Sequence, residues 1–148
     1  MKCLRNALFG VLRTVKNERN MRIHLCFAFY VISASFVCNI SSGQWRSVLL
    51  CIALVLSLEC INTALERLCN AVHPDKSPEI RAAKDAAAGA VLIAALVSAV
   101  VGCKIFFNME RLFVAFAFII AYPVIFALLL LTLIPAALFV RGHSKGEN

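Results

Sequence analysis

Three polar residues, Glu59, Asn62 and Glu66, interrupt a stretch of sequence that is otherwise apolar. On a helix that turns about 100° per residue they point at roughly 0°, 300° and 340°, so all three share one face. An ionised side chain in a membrane span costs about 3 kcal/mol even on a permissive scale, so this polar stripe needs a compensating role. The stripe therefore predicts a functional site.

Other residues that could do chemistry lie near the same predicted level. Glu18 precedes the first apolar segment, and Lys84 and Asp85 follow a polar break that contains two prolines. Carboxylate oxygens suit Mg²⁺, which often binds one or two carboxylates together with substrate phosphates. Lys84 could neutralise a phosphate as a point charge, and a deeper carboxylate could take the proton of a lipid hydroxyl. These parts describe phosphoryl transfer from a soluble nucleotide to a membrane alcohol.

A transporter or channel with a relay of buried carboxylates is the alternative. Transporter sites lie near the bilayer midplane and use helices broken by Gly or Pro. The polar groups here track toward one surface on helices that the pattern predicts to be unbroken, which favours the kinase. From spacing alone both classes stay open.

Composition places the chain in a membrane. Of its 148 residues, 61% are hydrophobic, whereas soluble domains have roughly 45 to 50%. A membrane-spanning helix needs about 20 apolar residues. No cleavable secretory signal is apparent, so the first apolar segment is predicted to remain in the mature protein. The predicted spans are 23–40, 48–69, 86–107 and 112–140.

The basic residues predict the orientation. Six Lys or Arg residues precede the first span, four lie at the end of the second span or between it and the third, and two follow the last. Only Arg46, Lys104 and Arg111 lie on the other side. By the positive-inside rule both termini are predicted to be cytoplasmic. The basic residues behind the net charge of +7 lie mostly near the ends of the predicted spans. This distribution predicts that they interact with anionic lipid headgroups and not with nucleic acid.

Residues 1–17 carry apolar side chains at helical spacing, with Lys and Arg mostly elsewhere around the turn. This pattern predicts an amphipathic helix lying at the membrane interface, and ordinary positive-inside flanking sequence is the alternative. The polar turn at 39–44 contains Gly43 and predicts a tight pairing of the first two spans. Ser77 followed by Pro78 predicts the cap and first residue of the third long helix. The seven cysteines form no CxxC and predict neither a disulfide nor a metal site.

Three segments together resemble a known family: NERNMRIHL, ECINTALE and AKDAAAGAVLI. They resemble the small integral membrane lipid kinases of bacteria, the diacylglycerol kinase and undecaprenol kinase family, over about residues 4–107. The resemblance implies a homotrimer with active sites shared between subunits, each subunit having an interfacial N-terminal helix and three transmembrane helices. It also implies ATP as donor and Mg²⁺ as cofactor in a bacterial inner or plasma membrane.

The resemblance also implies roles for single residues. Glu59 matches the catalytic base that acts on the lipid hydroxyl, and Glu18 and Glu66 match the carboxylates that hold the metal. Residues of the nucleotide and catalytic site are matched by Asn62, Lys84 and Asp85, and Asp75 is implied to lie near the nucleotide. The sequences of the first and last segments resemble the undecaprenol kinase branch more than the diacylglycerol kinase branch. The resemblance therefore implies undecaprenol as the substrate, with diacylglycerol as the other candidate.

The chain departs from the family at two places. Asn70 stands where the family usually has an Asp, and the family core ends after the third span. The sequence thus predicts a lipid kinase core at residues 1–110, and an extra transmembrane helix with a polar tail at 111–148. The predicted fold is an all-α membrane protein with an interfacial helix, a three-helix transmembrane core and a fourth, C-terminal transmembrane helix.

Overall fold

A computed structural model describes residues 2–72 and 77–142, and all regular secondary structure in these ranges is helical. The helices are α1 (Lys2–Asn17), α2 (Arg19–Val37), α3 (Ser42–Val72), α4 (Pro78–Phe106), α5 (Met109–Ala121), α6 (Pro123–Leu131) and α7 (Leu133–Arg141). Four stretches of the described chain are long and apolar enough to cross a membrane: α2, α3, α4 and α6 with α7. The predicted all-α class with four candidate spans is confirmed. The interfacial position of α1 stays a prediction, as does the division at residue 110.

Helix α3 is the centre of the bundle. It packs most extensively against α4 and also contacts α1 and α2. Its buried face is apolar in the first half, with Val48 and Val55, and polar in the second half, with Glu59, Asn62 and Thr63. The first half joins an apolar cluster where α2 ends and α3 begins. The second half of α3 buries polar side chains, including the ionisable Glu59, against the neighbouring helices.

The turn between α2 and α3 is shorter than predicted, because α3 already begins at Ser42. Ser41 and Gln44 form a capping box, in which Ser41 N–H donates to Gln44 Oε1 (3.0 Å) and Gln44 N–H donates to Ser41 Oγ (3.4 Å). Asn39 supplies the sharp reversal with φ 45°, a left-handed conformation that Asn tolerates well. Gly43, expected in the turn, lies inside α3. We call this end of the bundle, at residues 39–41, the turn end.

The start of α4 follows the prediction. Ser77 is extended (φ −74°, ψ 148°), and its hydroxyl accepts a hydrogen bond from Ile80 N–H at 3.2 Å. Pro78 takes the first helical position, where the missing N–H has no partner to lose. This cap fixes where the polar first turns of α4 begin.

The prediction of one continuous span at 112–140 is wrong. Tyr122 leaves the helical region (φ −130°, ψ 58°) because the residue before a proline is pushed toward extended conformations, and Pro123 then starts α6. A second break falls at Thr132, three residues before Pro135, whose ring nitrogen cannot donate to the preceding turn. The candidate span is the 19-residue stretch Pro123–Arg141 alone.

The last three helices return along α2 in the antiparallel direction. Tyr30 and Thr132 share a hydrogen bond between hydroxyls at 3.1 Å, and Cys26 Sγ lies 4.0 Å from Ala136 O. At the turn end, Arg111 donates to the carbonyl of Cys38 and to Gln44 Oε1, both at 2.7 Å. The chain between Arg111 and Pro123 therefore stays near the turn end, and α6 with α7 makes the crossing.

Candidate active site

The lengths of α2 and α3 set the level of the polar stripe. The two helices are antiparallel and joined by a short turn, and they contain 19 and 31 residues. At 1.5 Å per residue, α3 extends about 18 Å beyond the first residue of α2. Glu59 falls at the level where α2 begins, and there Thr14 of α1 lies against Cys60. Glu66 lies roughly 10 Å further along α3.

Glu59 is the most deeply buried ionisable side chain of this stripe, with 2% of its surface exposed. Glu18 and Glu66 lie close enough for their charges to act on the Glu59 carboxylate. The structure therefore brings together three of the predicted carboxylates at one end of the bundle. A cation would be stabilised there, because it reduces their mutual repulsion.

Asn62 orients Glu66. Its side-chain Nδ2 donates to Glu66 Oε1 at 3.2 Å, one helical turn along the same face. Asn62 is 7% exposed, and its Oδ1 has no hydrogen-bond partner within residues 2–72 and 77–142. A buried amide oxygen without a donor costs free energy, so this atom is poised to accept from a ligand or to bind a cation.

Thr63 belongs to the same site, although the sequence reasoning did not single it out. It is 3% exposed, and its hydroxyl is also unpartnered in the described chain. Its position four residues after Glu59 places it roughly 40° around the helix from Glu59, next to the polar stripe. The spacing from Glu59 could have identified Thr63 from the sequence. Threonine is common in membrane helices, however, so its presence there does not by itself indicate a functional site.

Glu18 lies at the corner between α1 and α2. It is extended (φ −102°, ψ 120°), and its N–H donates to Thr14 O at 2.8 Å. Its carboxylate lies 3.6 Å from the guanidinium of Arg67, which is the next residue after Glu66 on α3. Both side chains are partly exposed, so this ion pair contributes at most about 1 kcal/mol and can exchange for a ligand.

Lys84 faces the site and Asp85 does not. Lys84 Nζ donates to Asn70 Oδ1 at 2.5 Å, across from α4 to α3. Asp85 points away and pairs with Arg81 of its own helix at 3.9 Å, with three quarters of its side chain exposed. Neighbouring residues on a helix diverge by about 100°, so Lys84 and Asp85 point in different directions within one chain, and the predicted role of Asp85 in the site stays a prediction. Asp75 lies outside the described residues, as do Lys76 and the tail at 143–148.

The oxygen-rich groups fit a partly assembled magnesium site. No cluster of three or more His, Cys, Asp or Glu side chains in the described ranges is close enough to hold a metal by itself. Mg²⁺ usually binds proteins through only one or two carboxylates and takes its remaining ligands from phosphates and water. Glu18, Glu66 and the free Asn62 Oδ1 are a donor set of that kind.

An apolar cavity of about 540 Å³ runs between α2, α3 and α4. On α3 it is bounded by Val55 and Leu56, one turn from Glu59. On α4 it extends from Ala95 to Phe107 along a face of mostly small residues. The cavity therefore connects the level of Glu59 with the turn end through apolar surroundings.

Glu59 is thus a buried carboxylate one helical turn from the apolar cavity, and acidic and basic groups lie beyond it on α3 and α4. The family model for prokaryotic diacylglycerol kinase matches residues 5–106. An undecaprenol kinase of Bacillus subtilis (strain 168) is 37% identical over 97 residues, which cover 66% of this chain and 79% of that protein. A diacylglycerol kinase of Synechocystis is 36% identical over 99 residues, which cover 66% of this chain and 57% of that protein. No solved structure gives a significant match.

The chain belongs to the prokaryotic diacylglycerol kinase family and is a lipid kinase. The enzyme prediction is thereby confirmed, and the transporter alternative is set aside. It is also a multi-pass membrane protein of bacterial type, as its four candidate spans and its relatives show. The matched region ends where α4 ends, so α5, α6 and α7 lie beyond it.

Proposed function

We propose that this protein transfers the γ-phosphoryl group of ATP to the hydroxyl of a membrane lipid, with undecaprenol as the favoured acceptor and diacylglycerol as the second. One observation carries the proposal: Glu59 is buried at the level where α2 begins, while Glu66 and Lys84 lie beyond that level on helices that continue outward. A lipid hydroxyl and a soluble nucleotide can meet there without either leaving its own phase.

In the proposed reaction one bond to phosphorus forms and one breaks. The lipid oxygen attacks the γ-phosphorus, and the bond from that phosphorus to the bridging oxygen breaks, so ADP leaves. The hydroxyl proton passes to the Glu59 carboxylate as general base. The hydroxyl of Thr63 and Oδ1 of Asn62 lack a partner within residues 2–72 and 77–142, lie on either side of Glu59 around α3, and are available to orient the attacking group. Catalysis then rests on positioning and on neutralising phosphate charge.

Mg²⁺ would be held by Glu18 and Glu66, with Asn62 keeping the Glu66 carboxylate in place. When bound it would supply charge neutralisation at the transferring phosphoryl group. The ion pair of Glu18 with Arg67 holds the Glu18 carboxylate at the corner of α1 and α2 until then.

Lys84 would bind phosphate by exchanging its hydrogen bond with Asn70. Asp85 is turned away from the carboxylates of its own chain, so a nucleotide role for it requires a neighbouring subunit. This direction supports the proposal of a homotrimer whose active sites are shared between subunits. Asp75, in the segment between α3 and α4, is retained as a proposed nucleotide contact.

Undecaprenol is favoured because the Bacillus subtilis relative named for that substrate is matched over most of its length. The apolar cavity, which reaches Val55 and Leu56 one turn from Glu59, suits a single long hydrocarbon chain. We place the protein in the bacterial inner or plasma membrane with both termini and the α3–α4 segment in the cytoplasm, where ATP is available.

A phosphate-transfer assay on purified protein, with undecaprenol and diacylglycerol offered in parallel, tests the proposal. Labelled ATP and Mg²⁺ should yield a labelled lipid, with undecaprenol the better acceptor. Folded protein that binds nucleotide but labels neither lipid would overturn the proposed reaction. Faster labelling of diacylglycerol would overturn only the order of the two acceptors.

A further inference from the structure

Arg22 occupies an unusual position for a charged residue, because it is only 6% exposed and joins the ends of two helices. Its Nη1 donates to the carbonyls of Val15 (3.3 Å) and Lys16 (2.9 Å), in the last turn of α1. Its Nη2 donates to the carbonyls of Val140 (3.4 Å) and Gly142 (3.5 Å), at the end of α7. The negative ends of two helix dipoles thus meet at one guanidinium.

Glu18 lies inside this arrangement. The Arg22 N–H donates to the Glu18 carbonyl at 3.4 Å, and the Glu18 N–H donates back to Thr14 of α1. Glu18 is therefore the single extended residue between two helices whose relative direction Arg22 fixes. The direction of its carboxylate depends on that corner.

We propose that Arg22 is a positioning residue through which the fourth span, α6 and α7, holds the Glu18 carboxylate in place. Half of the acceptors of Arg22 come from α7, which lies outside the region shared with the family, so this chain has tied its additional helix to the nucleotide end of the enzyme. The inference rests on the proposed role of Glu18 in holding the metal with its nucleotide.

The chain offers a matched control at the other end of the same segment. Arg111 also fastens the C-terminal segment to a helix end, through the carbonyl of Cys38 and through Gln44, but it does so at the turn end, far from Glu18. If the C-terminal segment only adds stability, Arg22→Gln and Arg111→Gln should affect the enzyme alike. If it positions Glu18, only Arg22→Gln should change nucleotide affinity.

A second perturbation acts from the α7 side and leaves the Arg22 side chain itself unchanged, although the added Cβ would lie in ordinary contact with Arg22 Nε at 3.7 Å. A Cβ at position 142 would lie 2.8 Å from the carbonyl oxygen of Phe139, so Gly142→Ala must shift the backbone whose carbonyl Arg22 binds.

The experiment measures KM for ATP with Mg²⁺, kcat, and amide hydrogen exchange of residues 14–22 without nucleotide. We expect Arg22→Gln to raise KM roughly ten-fold, as for other residues that orient metal ligands, with a smaller change in kcat and faster exchange at the corner. Gly142→Ala should shift both readouts in the same direction by less, and the double variant should be less than additive. Arg111→Gln should leave both readouts at wild-type values, and Arg22→Lys, which keeps the charge but has no fork to reach both helices, should fall between.

An unchanged KM and exchange rate in Gly142→Ala would overturn the coupling of Glu18 to the fourth span. An equal rise of KM in Arg111→Gln would show that the C-terminal segment only stabilises the protein and does not position Glu18. Should Arg22→Gln fail to fold, Gly142→Ala and Arg22→Lys still decide. The exchange readout needs no activity, so absence of lipid phosphorylation in the wild-type protein would count against the proposed function and not against this coupling.

Discussion

Lys84 Nζ lies 2.5 Å from Asn70 Oδ1, and this hydrogen bond joins the beginning of α4 to the last turn of α3. The family resemblance implies an Asp at position 70. The amide keeps the hydrogen bond but leaves the ammonium charge uncompensated, so Lys84 retains its full attraction for phosphate.

Asn70→Asp should convert this hydrogen bond into an ion pair. We expect a stability gain of up to about 1 kcal/mol at low salt, because both side chains are partly exposed. Thermal unfolding in detergent at low and high salt measures it, with Asn70→Ala as the variant that loses the bond. A gain that persists undiminished in high salt would contradict the electrostatic explanation.

The two glutamates of the polar stripe should fail in different ways. Glu59→Gln should lower turnover by about 10² to 10⁴-fold while leaving affinity for Mg²⁺ and nucleotide nearly unchanged, because an amide fills the same space without accepting a proton. Glu66→Gln should weaken Mg²⁺-dependent nucleotide binding as well, since it removes a charged ligand.

Calorimetric titration of a nonhydrolysable ATP analogue with Mg²⁺ separates the two effects, alongside the phosphate-transfer assay. Near-normal turnover in Glu59→Gln, or a loss of nucleotide binding as severe as in Glu66→Gln, would show that the base has been assigned to the wrong residue.

Arg67 should compete with the metal for Glu18, given their ion pair at 3.6 Å. Arg67→Met should therefore lower the Mg²⁺ concentration for half-maximal activity, by up to about five-fold if the pair is worth 1 kcal/mol. Arg13→Met is the control, because it removes an exposed charge of α1 that makes no ion pair within the described ranges. A magnesium titration of activity checks both, and an equal shift in the control would point to a general change in surface charge.

The Thr63 hydroxyl should matter more for turnover than for folding. Thr63→Val removes a buried, unpartnered hydroxyl with little change of shape, so stability should stay level or rise by about 1 kcal/mol. Turnover should fall roughly ten-fold if that hydroxyl orients the lipid, as one lost hydrogen bond in the transition state would cause. Thr63→Ser should keep turnover near wild type, and melting temperature with kcat measures the contrast. A valine variant as active as the wild type would remove Thr63 from the site.

The proposed orientation predicts that position 76 is labelled only from the cytoplasmic side, and positions 43 and 108 only from outside. Single cysteines at these positions, on a background without native cysteines, can be tested with a thiol reagent that does not cross membranes. Labelling of position 76 from outside would overturn both the orientation and the access to cytoplasmic ATP.

Local chemistry made much of this molecule predictable. Ser77 and Pro78 mark the start of α4 because a cap depends on a few neighbouring atoms, and the face shared by Glu59, Asn62 and Glu66 follows from helix geometry alone. The resemblance, carried by short motifs, led to the family.

Contacts between distant residues could not be predicted in this way. Nothing near Arg22 indicates carbonyl partners 118 and 120 residues away, and only packing reveals that Asp85 turns outward while Lys84 turns inward. The break at Tyr122 was within reach of sequence reasoning, since Pro123 pushes its predecessor out of the helical region. It was missed because membrane helices often tolerate proline.

Because α2 and α3 differ in length, the thickness of the bilayer should affect how deeply Glu59 and Glu66 lie in the membrane. The short turn ties the two helices at one end, so the whole difference of about 18 Å emerges at the other. A thicker membrane would draw the Glu66 end toward the hydrocarbon, and a thinner one would lift Glu59 toward water. Under the proposed function, the hydrophobic match between protein and lipid therefore sets which of the two glutamates lies at the boundary where the lipid hydroxyl and the nucleotide would meet.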